Sequence, residues 1–182
     1  MKPFIVRARM VVLAILSCFT SSIDVQANDG IEVAGDVFTY LLPATAVGLS
    51  VGYKDGKGAL QFTESTALAL GSAFALKYTI SEERPNHDDQ HSFPSTHASV
   101  AFSSSEFLRI RYGREYGIPA YAIATFVAFS RVQAKQHYLH DVIAGAVIGI
   151  GSSYLLTQPY KGWHIQADID TKFYGLRLSR SW

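Results

Sequence analysis

The chain has 182 residues, of which 48% are hydrophobic and 17% charged, with a formal net charge of +1. That length supports one domain with a real core, and the near-neutral balance excludes the basic surface that nucleic-acid binding needs. Cys18 is the only cysteine, so a chain beginning beyond it has no disulfide, no thiolate metal site and no cysteine nucleophile.

The first segment has the anatomy of an export signal. Lys2, Arg7 and Arg9 precede an apolar run from Met10 to Phe19, and Val25-Gln26-Ala27 offers small residues for cleavage. The run is short for a membrane span. The reading is a signal peptide over 1–27, with an uncleaved anchor as the alternative and a lipid anchor on Cys18 as a third. Removing 1–27 takes three basic residues from 16 and Asp24 from 15 acidic ones, leaving 13 against 14. A cysteine-free remainder suits an oxidising, periplasmic compartment.

Five apolar segments follow. Asp36–Tyr53 reads as a helix with Asp36 capping its start and Pro43 kinking or breaking it. Tyr53–Gly58 is a turn, and Phe62–Ile80 is rich in Ala and Leu and helical in character. Thr96–Ile110 is a weaker helix with Ser103-Ser104-Ser105-Glu106 in its middle, and RIRYGREYG after it makes a charged turn. Ile118–Arg131 and His140–Thr157 complete the set. From Trp163 onward apolar and polar residues alternate, which predicts a β-hairpin or two edge strands. The expected architecture is all-α: a compact bundle of about five helices over 28–157, and a short β-like tail within 158–182. The tail reads as a packing flap, with contact to a partner or to an outer membrane as the alternative. The apolar segments run about 14 to 18 residues where a span needs roughly 20, which favours a periplasmic bundle. The YKDGKG and RIRYGR turns would share the cytoplasmic side of a spanning bundle, so an inner-membrane version stands as the alternative.

Chemistry concentrates in three places. SRVQAKQHYLHD at 130–141 places Arg131, His137, His140 and Asp141 between apolar runs. His137 and Asp141 are four apart; a carboxylate on one ring nitrogen would fix the tautomer and free the other as base or nucleophile. Such a pair alone is weak evidence, being commoner as a surface helix pair. His140 lies on another face and reads as structural. Lys77 and Arg84 are seven apart, two turns of one helix if it runs that far, with Pro85 as its stop. In FPSTHASVAF, Pro94 and Ser95 lead into a helix with Ser95 as N-cap and His97 in the first turn, and free amides there suit an anion. Three cations, aligned donors, two imidazoles and a carboxylate together suit a phosphoryl group in transfer.

These three pieces resemble the signature of the type 2 phosphatidic acid phosphatase superfamily, which also takes in bacterial class A acid phosphatases and vanadium haloperoxidases. The match runs from Lys77 to Asp141, and the helical pattern extends it from about Asp36 to Thr157. The resemblance implies that Lys77, Arg84 and Arg131 bind phosphate oxygens, aided by Ser95 and the amides of Thr96 and His97. It implies that His137 attacks phosphorus, Asp141 holds His137, His97 protonates the leaving alcohol, and neither metal nor cofactor is needed. The chain departs from the family pattern at Thr96, where glycine is usual. Its link NHDDQHSF between Pro85 and Pro94 is also short, which predicts an open mouth suited to a lipid substrate. His87, Asp88, Asp89 and His91 in that link read as a polar rim, with metal ligation or phosphate repulsion as alternatives.

The function expected is a metal-independent phosphatase acting on phosphomonoesters or diphosphates, on a lipid-linked substrate at a membrane surface of the bacterial envelope. A soluble periplasmic acid phosphatase is the close alternative. A vanadate-dependent haloperoxidase and a non-catalytic phosphate-binding protein stand further off.

Overall fold

The computed structural model describes residues 27–160, 163–170 and 173–180. The expected export signal therefore falls outside the described residues, apart from Ala27. Among the described residues the helices are α1 (Ala27–Gly52), α2 (Gly56–Thr79), α3 (Thr96–Tyr112), α4 (Arg114–Gln133) and α5 (Leu139–Leu156). Strands β1 (Trp163–Asp170) and β2 (Phe173–Arg180) pair antiparallel, with Ile165 opposite Leu178 and Ala167 opposite Leu176. This is the all-α bundle with a β-like tail that the sequence predicts.

The centre of the bundle is the helix that looked weakest. α3 packs against α1, α2, α4 and α5. It buries Ala98, Ser99, Ala101, Ser103, Ser104, Ser105, Glu106, Phe107 and Leu108. Small side chains explain this: they let neighbouring backbones approach, and their hydroxyls stay bonded. Ser104 and Ser105 donate to Val100 O and Ala101 O one turn back, and Ser103 meets Ser153 of α5 at 2.9 Å. Glu106 accepts from Arg109 and from Tyr121 of α4. Burial here follows size and satisfied polarity rather than hydropathy.

Two expectations about α1 are corrected. The helix begins well before Asp36, which is therefore no cap, and it passes through Pro43 without ending. Pro43 removes one backbone bond, but packing of α1 along α3 and α4 outweighs that local cost. The charged turn after α3 is also shorter than expected, reduced to Gly113 with φ 109°.

The end of the bundle away from Ser95 is locked by a closed ion pair. Asp55 caps α2 by accepting from Gly58 N, and its carboxylate also takes Arg111 Nε at 2.7 Å and Tyr112 Oη at 3.1 Å. Arg111 in turn donates to Gln158 O at 2.7 Å, fixing the segment after α5.

Candidate active site

α2 ends at Ile80 in extended backbone, so Lys77 and Arg84 do not share a helix as expected. The chain instead folds through a bridge between Glu82 and His91, and Arg84 N bonds Asp89 O within it. A glutamate pair and the approach of Pro85 give the segment more to gain from this turn than from another helical turn. Lys77 is buried and donates to the carbonyls of His91 and Ser92. Its charge reaches the site from behind the wall.

A cis Phe93–Pro94 peptide leads into Ser95, the N-cap of α3, whose Oγ accepts from Ala98 N. Ser95 N donates to Asp141 O at 3.1 Å, which joins the starts of α3 and α5. Thr96 and His97 occupy the first turn of α3. Arg131 lies in the last turn of α4, and His137 follows in the short link before α5. His137 is thus outside the helix that carries Asp141, yet the two still meet: Nδ1 lies 3.5 Å from Asp141 Oδ2. That oxygen accepts from Ser92 Oγ and from Tyr138 N, so these two donors fix the carboxylate, and His137 Nδ1 faces it at contact distance.

These elements surround a pocket of about 380 Å³ lined by Arg84, Thr96, His97, Arg131 and His137, together with Glu32, Asp36, Tyr40 and Gln136. Ser95, Lys77 and Asp141 stand behind it and are buried. His137 is 3% exposed, and burial pushes its pKa below the ordinary imidazole value, with Arg84 and Lys77 adding to the effect and Asp141 opposing it. It therefore stands neutral, with Nδ1 turned to Asp141 and Nε2 left for chemistry. Burial and the Arg131 charge push His97 down to about 4, while Asp36 pulls the other way.

Five contributors were not foreseen: Glu32, Asp36, Tyr40, Gln136 and Ser92. Asp36 Oδ1 lies 2.8 Å from Arg131 Nη1 and 3.2 Å from His97 Nε2. Glu32 O accepts from Arg131 Nη2 at 2.6 Å, and Gln136 bridges Glu32 to Arg84. The sequence carries only a weak sign of them: Glu32 and Asp36 are four apart and share one face of the helix, but Asp29 stands on the same helix and nothing local singles the pair out.

The rim link behaves as a polar turn. Arg84 Nε donates to Asp89 Oδ1 at 2.8 Å, His87 pairs with Glu83, and Asn86 donates to Asp88. Glu82, His140 and Asp141 form a group whose ligand atoms lie within 4.8 Å of one another. His140 bridges it, 2.7 Å from Glu82 Oε1 and 3.1 Å from Asp141 Oδ1, in keeping with a structural role.

Residues 58–164 match the sequence profile of the PAP2 superfamily. The chain is 31% identical over 176 residues to lipid A 4'-phosphatase of Helicobacter pylori, covering 85% of this chain and 88% of that protein. It is 31% identical over 98 residues to lipid A 1-phosphatase of Porphyromonas gingivalis, covering 51% of this chain and 22% of that protein. The crystal structure of Aquifex aeolicus LpxE shares the fold with a TM-score of 0.58 at 20% identity, over 68% of this chain and 83% of that one.

Proposed function

This chain belongs to the PAP2 superfamily, and we propose that it is a phosphatase that releases phosphate from a lipid-linked substrate through a phosphohistidine on His137. The observation that carries this reading is the pocket that brings Arg84, Arg131, His97 and a neutral, Asp141-held His137 together. The similarity to two lipid A phosphatases supports the lipid-linked substrate.

The steps follow from the arrangement. Arg84 and Arg131 hold the phosphoryl oxygens, with Lys77 behind them and the amides at the start of α3 as further donors. His137 Nε2 attacks phosphorus while the bond to the leaving oxygen breaks, and His97 gives that oxygen its proton. Asp141 stabilises the positive charge that develops on His137. Water then attacks the phosphohistidine, gives a proton to His97, and frees phosphate and His137. A dianion in the pocket offsets the Arg131 charge, so binding raises the affinity of His97 for the proton it must donate. The fixed cations neutralise the transferring group, and no step calls for a metal.

Two helical stretches, Gly30–Gly52 and Leu139–Leu156, are long and apolar enough to cross a membrane. Their outward faces carry exposed Val47 and Val51 on α1, and Leu139, Ile143, Val147 and Leu155 on α5. We infer a seat in the inner membrane with the pocket opening to the periplasm. The apolar faces favour this over the soluble bundle that short apolar runs suggested.

The test is phosphate release by the full chain in detergent with EDTA present, from a lipid monophosphate and an aryl phosphate in parallel. Release that survives EDTA, vanishes in His137→Ala and is faster on the lipid supports the proposal. A folded chain that releases nothing, or a His137→Ala variant that keeps its rate, overturns it.

A further inference from the structure

The pocket is not simply cationic. Arg131 would be expected to wait for phosphate with its guanidinium free, yet both of its terminal nitrogens are held by α1, one by Asp36 Oδ1 and the other by Glu32 O. Glu32 Oε1 stands 3.9 Å from the same guanidinium. Arg84 is likewise occupied by Asp89 and Gln136. The two arginines that line the pocket therefore share it with two carboxylates, Glu32 and Asp36.

These carboxylates belong to a helix seated tightly on the site. A Cβ at Gly35 would lie 1.9 Å from Ser130 Oγ and 2.9 Å from Arg131 Nη2, so α1 approaches to a distance that only glycine permits. Thr39 Oγ1 bonds Gly35 O one turn back. The acids on either side of this contact are placed by a rigid element and cannot drift away as a loop could. Their place is also specific: Asp36 touches His97, the group that meets the leaving oxygen in the proposed reaction. Glu32 and Asp36 line the pocket on the side of His97.

Resting on the phosphatase reading above, we propose that Glu32 and Asp36 determine specificity, admitting a phosphomonoester whose leaving group is uncharged and turning away diphosphates. When a phosphoryl group binds, its oxygens replace Asp36 at Arg131, and the carboxylate is left beside the leaving oxygen. A neutral alcohol bearing hydroxyl or amide donors can satisfy it. A diphosphate instead presents a second phosphate, negative at neutral pH, to two carboxylates within a few ångströms, and like charges at that range repel strongly.

The experiment measures kcat/KM for a lipid monophosphate and the diphosphate of the same lipid, using the full chain in detergent at fixed salt. The wild type is expected to favour the monophosphate. Glu32→Gln and Asp36→Asn are each expected to shift the ratio toward the diphosphate by about tenfold, and the double variant by more than either single one but less than their product, because both acids face the same Arg131. Asp36→Glu keeps the charge and should keep the wild-type preference, which separates charge from packing. Calorimetric titration with pyrophosphate and orthophosphate reads the same selectivity where turnover is low. A ratio that the double variant leaves unchanged, in turnover and in calorimetry, overturns the inference alone, as does a wild type that prefers the diphosphate. A wild type that releases phosphate from neither lipid overturns the phosphatase reading and this inference with it.

Discussion

The seam between α3 and α5 sets the site, and Gly145→Ala tests that claim. A Cβ at position 145 would meet Ser95 O at 2.4 Å, Ala98 Cβ at 3.0 Å and Ser99 Oγ at 3.2 Å. The nearest atom is a backbone carbonyl, so no rotamer change relieves the clash, and α5 must retreat by roughly 1 Å to restore ordinary contact. Asp141 lies one turn earlier on the same helix and is tied to Ser95 N through its own carbonyl. The retreat therefore falls on the 3.5 Å spacing between His137 and Asp141. Overpacking of this kind costs about 1–3 kcal/mol of stability, and misplacement of about 1 Å costs on the order of 10²-fold in rate. Gly151 on the same helix is the control, because a Cβ there meets nothing within 4 Å. Gly151→Ala should gain roughly 0.5–1 kcal/mol from helix propensity and leave the rate alone. Thermal melting in detergent and initial rates of phosphate release read both variants. A Gly145→Ala chain that melts and turns over like the wild type would refute the claim that this seam places the catalytic pair.

Other expectations concern charge. Arg111→Met leaves Asp55, 4% exposed in its side chain, as an unpaired buried carboxylate. It should lose about 3–5 kcal/mol in a denaturation series, and a loss under about 1 kcal/mol would show that the pair is dispensable. The pH dependence of kcat/KM follows from His137. Burial lowers its pKa, so the neutral nucleophile persists as pH falls below the ordinary imidazole value and is lost only at the depressed one. The acid limb should then lie below about 6.5, and a limb at or above that value would contradict a buried nucleophile. Asp141→Asn removes the partner that favours imidazolium and fixes the ring. It should move that limb lower still and reduce kcat by about 10²–10⁴-fold.

Much of the candidate site was legible because its local geometry depends on short-range spacing. Ser95 as a cap, His97 in the first turn and the His137–Asp141 interval are local facts that one stretch of chain can carry. The contribution of α1 was not, since Asp36 reaches Arg131 across 95 positions and no local pattern encodes that contact. An acid at the head of an apolar run reads as a cap until the tertiary structure shows a helix that began nine residues sooner. The rank of α3 was misjudged for a different reason. Hydropathy scores a serine as a surface residue, whereas helices that pack at close range need small side chains, and a serine that bonds its own backbone can be buried at little cost. The turn after Ile80 was missed because periodicity reports which residues could share a face, not whether the helix continues.

The two ends of the bundle hold charge in opposite ways, and the contrast explains how a pocket full of ion pairs can bind an anion. At Asp55–Arg111 both partners are buried, 4% and 5% exposed, and neither can be exchanged without leaving the other uncompensated. At the pocket each arginine is the shielded member of its pair and each carboxylate is the wet one. Arg131 is 4% exposed and Arg84 19%, while Asp36 and Asp89 are each 43% exposed. A half-exposed carboxylate gives up its arginine more readily than a buried one, because water or a donor on the leaving group can take the arginine's place. The arginines, already desolvated and oriented, keep their places when the partner leaves. Phosphate binding is then an exchange in which two monovalent, monodentate partners give way to one dianion with several acceptor oxygens. The cost of burying the cations falls on folding rather than on substrate binding, and that preorganisation is what an electrostatic catalyst requires.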